Sequence, residues 1–228
     1  MWYPQNKNEL EKVLKNFIKK PNIKISGVHG IIVPHAGYEF SGEIAGKGFS
    51  LLPKKEKAIL ISPSHYVAFA GLRSLEEIKT PLGEMKITPN NYEKLKYEHA
   101  IDNQIPFLQM LGYKEVLPLV AGNITNNDAE NIAEELAKIS SPIIISTDLS
   151  HFFPYPKAVK IDRETIKIIE NLDLQTFEEI DACGIFPLMI VMNLCKIKKW
   201  KPHLIEYKNS GDVTGDKSSV VGYASFWF

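Results

Sequence analysis

The chain is poor in cysteine: Cys183 and Cys195 are the only two among 228 residues. That excludes the disulfide-stapled scaffolds of small secreted domains. The two sit twelve positions apart in a stretch that reads as helical. Such a helix holds them roughly 18 Å apart, too far to bond, so both are expected as reduced thiols. An excess of either charge is missing as well. Lys and Arg number 27, and so do Asp and Glu. Bulk charge therefore supports neither a nucleic-acid nor a membrane-surface partner. No apolar run approaches the roughly 20 residues a bilayer span needs. The opening stretch, MWYPQNKNELEKVLKNFIKK, is polar where a signal peptide has its apolar centre. A cytoplasmic location is expected. There is no internal repeat, no low-complexity tract and no linker rich in Pro, Gly or Ser. One domain over residues 1–228 is the expectation, long enough to bury a substantial core.

What is present is an alternation of apolar runs and amphipathic stretches. Residues 8–19 place Leu10, Val13, Leu14, Phe17 and Ile18 at helical spacing, with Pro21 as the stop. Residues 24–33, 57–62, 142–146 and the stretch EVLPLVAG read as strands, apolar on consecutive positions as in a sheet covered on both faces. Helices are predicted at 42–53, weakened by Gly46 and Gly48, and at 89–99, 102–112, 125–139, 156–170, 173–180 and 183–195. HLIEYKNSGD and SSVVGYASFWF read as two final strands. The alternation predicts an α/β sandwich: a largely parallel or mixed central sheet flanked by helices.

Three of the apolar runs give way to histidine. IIVPHAGYEFSG carries His35, AILISPSH carries His65, and PIIISTDLSH carries Asp148 and His151. In open α/β sheets ligands gather beyond the carboxyl ends of the strands. Two histidines with one anionic ligand would suit iron(II) or another first-row metal, and imidazole also carries protons near neutral pH. Any one of these histidines, taken alone, reads as a hydrogen-bonded loop residue; it is the recurrence that points to a site. His29 and His203 lie inside strand-like patterns and read as structural, and Cys195 as core. Cys183, in DACGIFP, stands at the start of a predicted helix, where a thiolate can be made available to a metal. By itself it too reads as core.

Six stretches together resemble the Memo family, also called the protein B component of the AmmeMemoRadiSam set. They are VPHAGYEFSG, ISPSHY, EHAIDNQIPFLQ, STDLSHF, DACGIFP and GDVTGDKSSVVGYAS, spanning residues 33–225 in order. The resemblance implies a relation to the catalytic subunits of class III extradiol dioxygenases, and so an α/β fold with a site on one sheet edge. It implies His35 and His65 as metal ligands, with Cys183 where those enzymes have a glutamate. Asp148 and His151 would line the same pocket, His151 as acid/base. Glu98 and His99 would support it from behind or merely cap a helix junction. The implied cofactor is iron(II) or copper, or none. A thiolate softens the site toward copper, zinc or thiolate-tolerant iron, so ring cleavage does not follow from the fold. Three functions stay open: a metal-dependent oxidoreductase, dioxygenase-like or otherwise redox-active; a binding module for a phosphorylated or anionic peptide; and a partner protein of a radical-SAM system.

Overall fold

The computed structural model describes residues 2–19 and 25–228. The chain begins with α1 (Lys7–Phe17), whose Asn6 side chain accepts from the backbone N–H groups of Asn8 and Glu9. The predicted stop at Pro21 lies outside the described residues. β1 is Gly30–Val33, shorter than the predicted run. Then follow α2 (Tyr38–Phe49), β2 (Lys57–Pro63) and β3 (Leu72–Leu75). Four two-residue strands come next: β4 (Lys79–Thr80), β5 (Gly83–Glu84), β6 (Lys86–Ile87) and β7 (Lys94–Leu95). α3 (His99–Asp102) and α4 (Ile105–Met110) lead into β8 (Glu115–Ala121). α5 (Asn126–Leu136) starts on a reciprocal cap between Thr125 and Asp128. β9 (Ile143–Ser146), β10 (His151–Phe153), α6 (Tyr155–Asn171) and α7 (Ile185–Lys198) follow. The chain closes with β11 (His203–Asn209), α8 (Ser210–Thr214) and β12 (Val220–Trp227).

Ten of the strands form one mixed sheet with the main order β10-β12-β1-β9-β2-β8-β3-β7. Its centre is parallel: β1 pairs with β9, β9 with β2, and β2 with β8. Their carboxyl ends therefore lie on one side. Alternate residues of these strands serve two cores. Ile32, Ile59, Ile61, Ile143 and Ile145 pack with α5 and α7 on one face. Ile31, Val33, Leu60 and Ile144 pack with α1, α2 and α4 on the other. This explains strands that are apolar at every position: both faces are covered. Each fully buried Ile or Leu stabilises the fold by about 1.5–3 kcal/mol relative to exposure.

Three predicted helices differ from the structure. The second starts at Tyr38 instead of residue 42. Its glycines are contact surfaces: a Cβ on Gly42 or Gly46 would collide with Phe17, so they let α1 approach closely. Residues 89–98 are irregular apart from β7, with His99 already opening α3, and residues 173–180 hold a single 3-10 turn at Phe177–Glu179. In both, polar residues favour local side-chain to backbone bonds over a helix. Asn90 Oδ1 accepts from the Tyr92 N–H, and Asp173 Oδ1 from the Gln175 and Thr176 N–H groups.

Candidate functional site

The loops after β1 and β2 and the start of α3 bring three histidines together. His35, His65 and His99 each offer a ring nitrogen within 4.8 Å of the other two. The ring centroids of His65 and His99 are 4.3 Å apart, and His35 stands edge-on to both. His35 and His99 are buried, whereas His65 opens to solvent. The group thus has a closed back and an open front.

Hydrogen bonding fixes which nitrogens face the centre. Ser146 Oγ donates its one hydrogen to the Ala100 carbonyl, 2.7 Å away. It must then accept from its other neighbours, Gln104 Nε2 at 2.9 Å and His35 Nδ1 at 2.9 Å. His35 therefore carries its proton on Nδ1 and keeps a lone pair on Nε2. Glu98 does the same for His65. Oε1 accepts from His65 Nδ1 at 2.9 Å, and Oε2 from the His65 backbone N–H at 2.8 Å. Oε1 also accepts from the Ala100 N–H, so the same carboxylate caps α3. A carboxylate behind an imidazole is the arrangement that fixes the tautomer of a metal-ligating histidine. His99 Nδ1 lies 3.1 Å from Glu98 Oε1 but out of line for a hydrogen bond. It is a buried ring nitrogen with no hydrogen bond among the described residues, set beside the carboxylate instead. Trp2 stacks on the His99 ring at 4.3 Å and holds it in place.

Electrostatics agree with a neutral His35. Burial lowers its pKa to about 4; Asp148 opposes the shift, and His65 and His99 add to it. Burial alone would push the Glu98 carboxyl up, but the hydrogen bonds from the His65 ring and from the His65 and Ala100 backbone N–H groups, with the His99 ring 3.1 Å away, hold it well below the usual range. Asp148 Oδ1 accepts from the backbone N–H groups of His35 and Ala36, at 2.8 and 3.3 Å. Asp148 thereby ties the loop after β9 to the loop after β1.

Cys183 Sγ lies 3.3 Å from His35 Nε2 and accepts from the Asp148 N–H at 3.3 Å. Burial, and then the Asp148 charge, raise its pKa. Gly184 follows it and sits so close to Thr147 that a Cβ there would collide with that side chain. His151 opens β10, half-buried, opposite Val221, with its ring edge-on to Phe152. Among the described residues no hydrogen bond joins it to the histidine group. Ser146 and Gln104 fall inside the motifs STDLSHF and EHAIDNQIPFLQ, but nothing in their type marked them as the residues that orient His35.

A cleft of roughly 300 Å³ opens beside His65 and Cys183, walled by Tyr66, Phe69, Asn123 and Phe186. Among the described residues, no Lys, Arg, Asp or Glu lines it. Larger concavities lie elsewhere on the surface. One of roughly 700 Å³ lies near Trp2, Tyr97 and Asp102, behind the histidine group. The smaller cleft is the one that has His65 and Cys183 in its lining.

A family model described as Memo-like protein matches residues 1–227. A MEMO1 family protein of Thermoplasma acidophilum is 34% identical, with 98% of this chain and 94% of the relative covered. One of Sulfolobus acidocaldarius is 35% identical, covering 86% and 81%. One of Aquifex aeolicus is 31% identical, covering all of this chain and 96% of the relative. No helix among the described residues is long and apolar enough to cross a membrane.

Proposed function

We propose, for a chain that belongs to the Memo family, that the histidine group is a transition-metal site serving redox chemistry in the adjoining cleft. The observation that carries this reading is the set of oriented nitrogens. Two imidazoles have their Nδ1–H groups tied back to Ser146 and Glu98, and a third, His99, offers a ring nitrogen within 4.8 Å of theirs. Such a donor set fits a first-row metal, and iron(II) and copper are the ions proposed. When bound, the metal would supply Lewis acidity and a redox couple.

The remaining roles belong to the chain's own residues. His35, His65 and His99 are the nitrogen donors, and Cys183, beside His35 Nε2, is the candidate fourth ligand. Glu98 and Ser146 orient the imidazoles. Asp148 holds the His35 loop, and His151 is the proton carrier in this reading. Trp2 and the closed back exclude water from His99, while the open side at His65 admits substrate. Charge argues against an anionic peptide as the occupant. Among the described residues the cleft has no Lys or Arg in its lining, and Glu98 and Asp148 stand just behind it. An anion would meet two carboxylates and no cation.

The test is metal content per chain in protein purified without a chelating tag, after reconstitution with iron(II) or copper under anaerobic conditions. Wild type should hold one ion, and His65→Ala and His99→Ala should hold almost none. Cys183→Ser should lose affinity if the thiolate is a ligand and keep it if the three histidines suffice. Equal metal content in wild type and both histidine variants would remove the proposal. His151→Ala should retain metal yet fail to support oxygen consumption with catechol or thiol substrates.

A further inference from the structure

The strands that carry the histidine group also have amino ends, and these meet at a second concavity. His29 precedes β1, Lys55 precedes β2 and Pro142 precedes β9. Together with the end of α5 and the end of α7 they line a pocket of roughly 540 Å³. Its charged lining among the described residues is of one sign: Lys55, Lys138 and Lys198, with no Asp or Glu.

The cations there are available. Lys55 and Lys198 have no carboxylate within 4.0 Å among the described residues. Lys138, in the turn after α5, has only an exposed pairing with Glu135, an interaction worth little in water. Glu56, the acid next to Lys55 in sequence, is taken up by Lys114. Lys198 is held in place: its ammonium donates to the Ala137 carbonyl at 3.2 Å and lies 5.5 Å from the Trp200 ring centre. The turn Ser140–Ser141 adds donors. Among the described residues, no protein acceptor takes the backbone N–H or hydroxyl of either serine. The floor is rigid, because His29 donates to Phe228 O and accepts from Ile143 N, and its ring stacks on Trp200 at 4.1 Å. The rest of the wall is apolar: Val28, Pro53, Ile139, Pro142 and the Trp200 edge.

We propose that this pocket binds a small organic phosphate, with Lys55, Lys138, Lys198 and the Ser140–Ser141 turn on the phosphoryl oxygens and the apolar wall against the organic body. Ammonium groups and N–H donors without a competing carboxylate are what a doubly charged phosphoryl group requires. The volume lies within the range of small-ligand sites, about 300–1,000 Å³. Half of the wall being apolar favours a ligand with a carbon body over inorganic phosphate.

The experiment is calorimetric titration of the full chain, stripped of metal with a chelator, with ADP, inorganic pyrophosphate and adenosine. ADP should bind saturably at one site and more tightly than pyrophosphate, and adenosine should not bind. Lys55→Gln with Lys198→Gln should weaken ADP by about tenfold or more, roughly one factor of ten per 1.4 kcal/mol of lost contact. An unchanged melting temperature would show that this variant is folded. Absence of saturable ADP binding at millimolar concentration, or ADP binding indifferent to the two lysines, would overturn the proposal. Pyrophosphate binding as tightly as ADP would remove the apolar wall from it. A single-stranded oligonucleotide that binds through the same lysines more tightly than ADP would reassign the surface to nucleic acid.

Discussion

The two ends of the same parallel strands are built on opposite principles. At the carboxyl ends of β1, β2 and β9 stand His35, His65 and Asp148, with His35, Asp148 and the Glu98 carboxylate buried and His65 open to solvent. At the amino ends stand His29, Lys55 and the turn before Pro142, with exposed ammonium groups and no acid among the described residues of the lining. One end uses low dielectric and fixed tautomers. The other uses exposed cations in water. The contrast teaches that the polar character of a site is set by what desolvates it, since each end has a histidine as its aromatic centre. His35 has its proton position dictated by Ser146. His29 is exposed, and it is held by stacking on Trp200.

The largest effects should come from the buried end. His35→Ala should lower metal affinity on the order of a thousandfold, beyond the roughly 10–100-fold typical of an orienting partner. The measurement is a chelator competition titration. The same variant should leave ADP binding at the amino end unchanged, and a change there would break the independence of the two ends.

Next comes pH. His35 is neutral in the fold, with a pKa of about 4 against an ordinary value near 6.5. As pH falls below 6.5 the unfolded chain takes up this proton first. The stability tied to neutral His35 is complete above about pH 6.5 and is lost as pH falls toward 4, by about 3 kcal/mol. Glu98, whose pKa is lowered on balance, adds a further loss only below about pH 4.5. Urea unfolding of the metal-free chain between pH 7 and pH 4 checks this, with a shallower slope expected for His35→Asn. A flat wild-type profile between pH 6.5 and 5 would mean that His35 is not held neutral.

Orienting groups should matter less. Ser146→Ala removes the acceptor that fixes the His35 tautomer, and Glu98→Gln removes the carboxylate behind His65. Each should weaken metal binding by about 10–100-fold without changing the ligand set. The smallest effect should come from the exposed end. Lys55→Gln and Lys138→Gln should change unfolding free energy by no more than about 0.5 kcal/mol, since neither is packed or paired in a buried network.

Much of this arrangement was legible in the sequence. Apolar runs within 57–62 and 142–146 read as strands with both faces covered, a pattern common in parallel sheets, and β1, β9, β2 and β8 do pair in parallel. The small polar residues that close those runs marked one sheet edge. The amphipathic spacing of Leu10 and Leu14 placed α1 correctly. Other features were hidden because they depend on partners far away in the chain. Gly42 and Gly46 read as helix weaknesses until Phe17 is seen against them. Residues 89–99 have helical composition, yet the short strand Lys94–Leu95 pairs with β3 instead. The sequence reading left Glu98 and His99 between supporting the pocket and capping a helix junction; in the fold Glu98 caps α3 and the His99 ring lies beside those of His35 and His65, and a histidine opening a helix carries no strand-end signal. The amino-end pocket was invisible for a related reason. A net charge of zero hides a local patch, and Lys55, Lys138 and Lys198 come from three distant stretches.

The most direct test of the central claim is X-ray absorption at the edge of the metal bound to the reconstituted wild-type chain. The account expects a shell of nitrogen neighbours near 2.0–2.1 Å with the outer scattering of about three imidazole rings, collapsing in His65→Ala. A sulfur shell near 2.3 Å would add Cys183 to the ligands. A shell of oxygen neighbours without imidazole scattering would contradict the account, because the metal would then be bound somewhere other than among His35, His65 and His99.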